Sequence, residues 1–160
     1  MRLGLGTVRF GVPYGIGSQR GVNSPGDIKK ILGAAENLGI TVLDTAAGYG
    51  GSERSIGKSL ESGYRFRIVT KTPRFSAARI GNSEILQMRA ALQRSLADLG
   101  CGSVYGLLVH RASDLLAHGG DRLFRALQEV RENGLVQKIG VSVYDESEID
   151  GICGKYAVDI

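Results

Sequence analysis

Short apolar runs alternate along the chain with stretches in which apolar residues recur every three or four positions. The runs Thr41–Leu43, Arg67–Thr70, Val104–Val109, Lys138–Val141 and Ala157–Ile160 suit strands buried on both faces of a parallel sheet. The stretches between them predict helices. Ser24 stands as an N-cap with Pro25 at the first helical position, and Ile28, Ile31, Leu32, Ala35 and Leu38 form one apolar stripe that Gly39 ends. Ser83 is placed to cap a longer helix carrying Leu86, Ala90, Leu92, Leu96 and Leu99, with Gly100 closing it. A further helix runs from about Asp121, turns Leu123, Leu127 and Val130 inward and stops at Gly134. Shorter helices are predicted after Ser52 and Asp145.

Strand and helix thus alternate about six times with no shift in composition between them, so residues 1–160 read as a single parallel α/β domain. Two architectures satisfy that alternation, a barrel and an open doubly wound sheet. The doubly wound alternative needs a glycine-rich phosphate turn after the first strand. The segment there, RFGVPYGIGSQRG, is too long and irregular for one, and no GxGxxG or Walker-type loop occurs elsewhere.

Composition narrows the partners. With 42% hydrophobic and 22% charged residues the chain is ordinary for a globular protein and unlike a disordered one. Its net charge of +4 suits a small anionic ligand. Lys and Arg are dispersed, with no basic block interleaved with aromatics, so nucleic acid is not expected. The opening RLGLGTVRFG holds no apolar segment long enough for a signal peptide or a membrane span, so a cytoplasmic protein is expected, with no membrane partner. Cys101 and Cys153 lack the spacing of a metal site, and are expected to be reduced thiols packed as small hydrophobes.

Candidate chemistry gathers where the predicted strands end. The second closes on Asp44, with Tyr49 just beyond in LDTAAGYG; the third ends at Lys71 in IVTKT; the fourth at His110 in YGLLVHR; the fifth leads to Ser142 in KIGVSVY. In parallel α/β folds this edge of the sheet is where ligands bind. Singly, each group has a structural explanation: a helix cap, a solvated lysine, a packed ring, a hydrogen-bonded histidine. Together they form a consistent chemical set. A phenol with a pKa of about 10 is a poor proton donor at neutral pH, and a nearby ammonium lowers that value. Lys71 is placed to supply the ammonium, Asp44 to hold it, and a neutral His110 to orient a carbonyl oxygen by hydrogen bonding. Such a site suits hydride addition to a carbonyl. Because side chains supply no hydride, a nicotinamide cofactor is implied.

The succession LGTVRFG, GITVLDTAAGYGGSE, IVTKT, LLVH and KIGVSVY resembles the aldo-keto reductases across the whole chain. The GTVRFGVPYGI opening is most similar to bacterial members found among sugar and surface-polysaccharide genes. The resemblance implies a (β/α)8 TIM barrel that reduces an aldehyde or ketone with NADPH. It casts Tyr49 as general acid, Lys71 and Asp44 as its tuning pair and His110 as the carbonyl-orienting group. It also sets Gly6, Thr7 and Asp44 near the nicotinamide and Ser142 on the carboxamide. Arg9, Tyr14 and Arg111, near predicted strand ends, are candidates for contact with a small carbonyl substrate.

Two departures accompany the resemblance. Val143 stands where the family commonly has Asn after the serine. The chain also stops at AVDI within its sixth strand, whereas a full barrel takes about 250 residues. It therefore reads as a barrel truncated to about five and a half βα units, without the seventh and eighth strands that in the family hold much of the adenosine and pyrophosphate. Unpaired barrel edges then invite self-association, and weak catalysis by the isolated chain is expected. The competing functional reading is a non-catalytic binding or regulatory module built on the same fold.

Overall fold

The computed structural model describes residues 3–15, 21–60, 65–75 and 79–160. Among these residues there are five strands: β1 (Gly4–Gly6), β2 (Val42–Asp44), β3 (Arg67–Lys71), β4 (Val104–Val109) and β5 (Val136–Val141). They alternate with α1 (Pro25–Asn37), α2 (Ser52–Leu60), α3 (Asn82–Leu99), α4 (Ala112–Leu116), α5 (Gly120–Glu132) and α6 (Glu146–Cys153), and a 3-10 turn covers Val8–Phe10. Every pairing is parallel and the spatial order β1-β2-β3-β4-β5 repeats the chain order. A doubly wound sheet reverses its order at a switch point, so this sheet is the curved wall of a (β/α) barrel.

Helix boundaries follow local chemistry. Ser24 accepts a hydrogen bond from the Asp27 amide, and Pro25 opens α1. Asp145 caps α6 through the Ser147 amide. Ile28 and Leu32 of α1, Leu123 and Leu127 of α5, and Leu43, Leu107 and Ile139 of the sheet are all buried in one continuous core. This packing of helices against strands is the main stabilising term of the fold.

Several expectations are corrected. Leu38 follows α1 and is 79% exposed, because the helix ends one residue before it can complete the stripe. Ser83 does not cap α3; the helix starts one residue earlier, and the Glu84 carboxylate accepts the Gly81 amide. The buried face of α3 is Met88, Ala91, Leu92, Leu96 and Leu99, leaving Leu86 and Ala90 outside. Cys153 is exposed instead of packed, while Cys101 is half-buried; both are free thiols.

Residues 157–160 do not form a sixth regular strand. Backbone bonds run from Asp159 to Ile139 (2.8 Å) and from Val141 to Ile160 (3.1 Å), but the segment leaves the plane of the sheet. A Cβ on Gly140 would stand 1.7 Å from the Ile160 carbonyl oxygen, so the segment crosses the face of β5 where glycine admits it. Among the described residues no helix is long and apolar enough to cross a membrane.

Candidate active site

Sheet register alone brings the site together. Side chains alternate faces along a strand, and residues paired in a parallel sheet share a face. Gly6 pairs with Asp44 and Asp44 with Val69, so Lys71, two residues on, points to the same side. Lys71 pairs with Leu108, which sends His110 the same way; Leu108 pairs with Gly140, which does so for Ser142. Gly6, Asp44, Lys71, His110 and Ser142 thereby lie on one face of the sheet at the carboxyl ends of its strands.

Lys71 is the anchor. Its Nζ donates to Asp44 Oδ1 at 2.6 Å and to the Thr45 carbonyl at 2.9 Å. The lysine side chain is only 4% exposed, against 41% for Asp44, so the carboxylate and carbonyl offset the desolvation of a buried ammonium. Tyr49 sits above it, with Lys71 Nζ 5.1 Å from the ring centre. The His110 ring meets Tyr49 edge-on at 5.9 Å between centroids. The phenol oxygen has no hydrogen-bonding partner among the described residues.

Burial, followed by the charge of Asp44, pushes the Tyr49 phenol above its ordinary value. The expected lowering does not prevail: burial and the Asp44 carboxylate outweigh the lowering charge of the nearby Arg74. The phenol keeps its proton throughout the neutral range, the state a proton donor needs.

Burial and the charges of Arg74 and Lys71 bring His110 down to about 4, so its imidazole is neutral at pH 7. Arg74 Nη2 lies 3.1 Å from Nε2, and His110 Nδ1 lies 3.3 Å from the Thr72 carbonyl. A guanidinium can only donate, which makes Nε2 the acceptor and puts the proton on Nδ1. The expected neutrality holds, but the nitrogen facing the mouth accepts from Arg74 in place of offering a proton.

The depressed pKa predicts a pH effect. Unfolding frees an imidazole that binds a proton near pH 6.5, while the folded one does so only near 4. Stability from this group is thus complete above the higher value and is lost as pH falls toward the lower. The loss should reach on the order of 2–3 kcal/mol. Buried Glu53, whose carboxyl burial shifts upward, works in the opposite sense. Urea unfolding of wild type and His110→Phe across that range isolates the histidine: the gap between the two should narrow on acidification, and a constant gap contradicts it.

The floor of the site comes from residues that the sequence patterns missed. Glu53 accepts from Thr70 at 2.5 Å and Ser95 at 2.9 Å, tying α2 and α3 to the strand that holds Lys71. Ser52 donates to the Thr7 carbonyl at 2.9 Å, and Thr7 Oγ1 donates to the Asp44 carbonyl at 2.9 Å. Gly11 lets the first loop press on the Tyr49 loop, for a Cβ there would stand 1.8 Å from the Tyr49 carbonyl oxygen. Gly11→Ala should therefore cost about 1–3 kcal/mol and displace Tyr49; an unchanged thermal midpoint would count against that contact.

A cavity of about 430 Å³ opens over this floor, lined by Tyr14, Tyr49, Arg74, Arg94 and His110 together with apolar residues of the first two loops. Of the three substrate candidates only Tyr14 lines it. Arg9 turns away toward the Gly21 carbonyl (3.4 Å), and Arg111 is an exposed residue at the start of α4. Thr7 is fully buried with its hydroxyl committed beneath the site, so it presents no free group to a ligand. Gly6 faces open space, and the half-buried Ser142 hydroxyl has no partner among the described residues. Three or more metal-ligating side chains do not cluster among the described residues.

Known structures repeat this framework. A Pseudomonas aeruginosa protein assigned to the aldo-keto reductases is 29% identical, with a TM-score of 0.70 over 87% of this chain and 54% of that one. The holo form of a Bacillus halodurans aldo-keto reductase is 23% identical, with a TM-score of 0.74 over 98% of this chain and 51% of that one. An aldose reductase of Giardia lamblia shares the fold at 20% identity, with a TM-score of 0.67 over 98% and 54% respectively. This chain thus spans about half the length of the solved structures it matches. Comparison with curated proteins finds no significant match. The model of the aldo/keto reductase family matches residues 2–159, and the chain belongs to that family.

Proposed function

We propose that this chain carries the proton-donating site of an oxidoreductase that reduces an aldehyde or ketone to an alcohol with NADPH. One observation bears most of the weight: the phenol of Tyr49, the Lys71–Asp44 pair and a neutral His110 meet at one opening. Tyr49 donates its proton to the carbonyl oxygen as negative charge develops there. The Lys71 ammonium beside the ring favours the phenolate left behind, an effect that matters once the proton moves. Asp44 keeps that ammonium in place.

His110 limits the approach of the carbonyl. To donate to its oxygen, the imidazole must exchange Arg74 for the substrate and carry its proton on Nε2. That tautomer gives up the Nδ1 contact with Thr72, which at 3.3 Å is already long.

The residues present fit the nicotinamide end of the cofactor. Gly6 leaves room where a side chain would intrude, and the Ser142 hydroxyl is free to bond a carboxamide. The reduced nicotinamide, when bound, supplies the hydride that no side chain provides. The choice of NADPH over NADH rests on the family resemblance.

Titration with NADPH followed by its fluorescence tests the proposal. A saturable change in the micromolar range, reversed when an aldehyde is added, is expected. A folded protein that gives no saturable signal contradicts it and favours the non-catalytic module.

A further inference from the structure

Among the described residues, the cavity over Tyr49 and His110 is lined by two arginines and no acid. Arg74 has one partner among the described residues, the neutral His110 ring at 3.1 Å. Arg94 of α3 makes no hydrogen bond or ion pair among them. Four other arginines of the described residues do have carboxylate partners: Arg54 with Asp98, Arg89 with Glu129, Arg125 with Asp121 and Arg131 with Asp159. The carboxylate of Asp44, whose charge Tyr49 feels, is already bonded to Lys71. The opening therefore has excess positive charge beside its proton donor.

A neutral imidazole is a weak partner for a guanidinium, whose parallel N–H groups match carboxylate and phosphate oxygens far better. We propose that the cavity takes carbonyl compounds that also bear an anionic group, a carboxylate or a phosphate. Arg74 grips the anion, and Arg94 adds charge to the same cavity. Drawing Arg74 onto the anion also frees His110 Nε2, so the substituent that anchors the substrate clears the nitrogen next to the carbonyl. This substrate class rests on the reading of the site as a carbonyl reductase. The anion site itself does not need turnover, and that separates the two tests.

Binding is read first, by NMR of histidine-labelled protein titrated with succinate and, separately, with inorganic phosphate. The chain has two histidines, and His118, which lies beside Arg79 outside this cavity, is an internal control. One or both anions should shift the His110 resonances saturably and leave His118 in place. Arg74→Gln should weaken that binding about tenfold or more, and Arg74→Lys, which keeps the charge but loses the fork, should fall between. Whichever anion acts identifies the group. An unmoved His110, or equal binding by folded Arg74→Gln, overturns the proposal.

Kinetics follow with NADPH, comparing succinic semialdehyde with butanal and glyceraldehyde phosphate with glyceraldehyde. The charged member of the pair matching the bound anion should be favoured about 10- to 100-fold in kcat/KM, a preference that collapses in Arg74→Gln. Equal use of charged and neutral aldehydes overturns the anion site and leaves the reductase reading standing. Binding that depends on Arg74, with no aldehyde consumed, upholds the anion site and removes the reductase reading.

Discussion

Tyr49→Phe should lower kcat for carbonyl reduction by about 10²- to 10⁴-fold, the usual worth of a positioned general acid. The substitution removes one oxygen and little else. That oxygen has no hydrogen-bonding partner among the described residues, so folding stability should change by less than about 1 kcal/mol. The ring, with its contacts to His110 and Lys71, remains. NADPH binding should also persist, because the cofactor contacts proposed at Gly6 and Ser142 do not involve the phenol. Activity assays paired with urea unfolding make the check: a large loss of rate with unchanged stability is expected, and a full rate in Tyr49→Phe would remove the phenol from the chemistry.

The second large effect is an asymmetry within the Lys71–Asp44 pair. Removing one partner of a buried ion pair is costly because of the charge left behind, and here the two residues differ sharply in exposure. Asp44→Ala strands an ammonium that is 4% exposed with the Thr45 carbonyl as its remaining acceptor. Lys71→Met leaves a carboxylate that is 41% exposed and can turn to water. The first should destabilise the fold by about 2 kcal/mol more than the second, less than a fully buried pair would because solvent reaches Asp44. Both should impair reduction severely: Lys71→Met removes the positive charge beneath Tyr49, and Asp44→Ala removes the carboxylate that holds it there. Chemical denaturation of the two variants separates the effects. Equal stability losses would contradict this asymmetry.

Much of this site can be read from the chain because it is built on strand ends. Asp44, Lys71 and His110 each close an apolar run, and the two-residue alternation of a strand dictates which way each points once the strands are paired. Tyr49 was recognisable from the glycines around it. The cap at Ser24 and Pro25 is local chemistry and came out as expected. Errors arose where an outcome depends on contacts across the fold. Leu38 keeps the period of its helix but lies past the end, a boundary set by the turn at Gly39. The face of α3 is decided by what it packs on, so Met88 and Ala91 displaced Leu86 and Ala90. The bond between Arg74 and His110 joins residues 36 positions apart and has no local signature. Glu53 reads as one more acid in a helical first turn until its partners on β3 and α3 reveal it as buried. Residues 157–160 have strand composition, yet the glycine of β5 admits them across its face.

The central claim, that this opening adds hydride to a carbonyl while Tyr49 delivers the proton, is tested most directly by following the hydride. NADPH carrying deuterium at its transferring position is incubated with the protein and an aldehyde, and the alcohol is analysed by mass spectrometry. Even slow turnover registers in this measurement. Deuterium on the carbinol carbon with wild type, and only a trace with Tyr49→Phe, is the predicted result. Folded, cofactor-saturated protein that yields no deuterated alcohol, or equal labelling by the two proteins, contradicts the account.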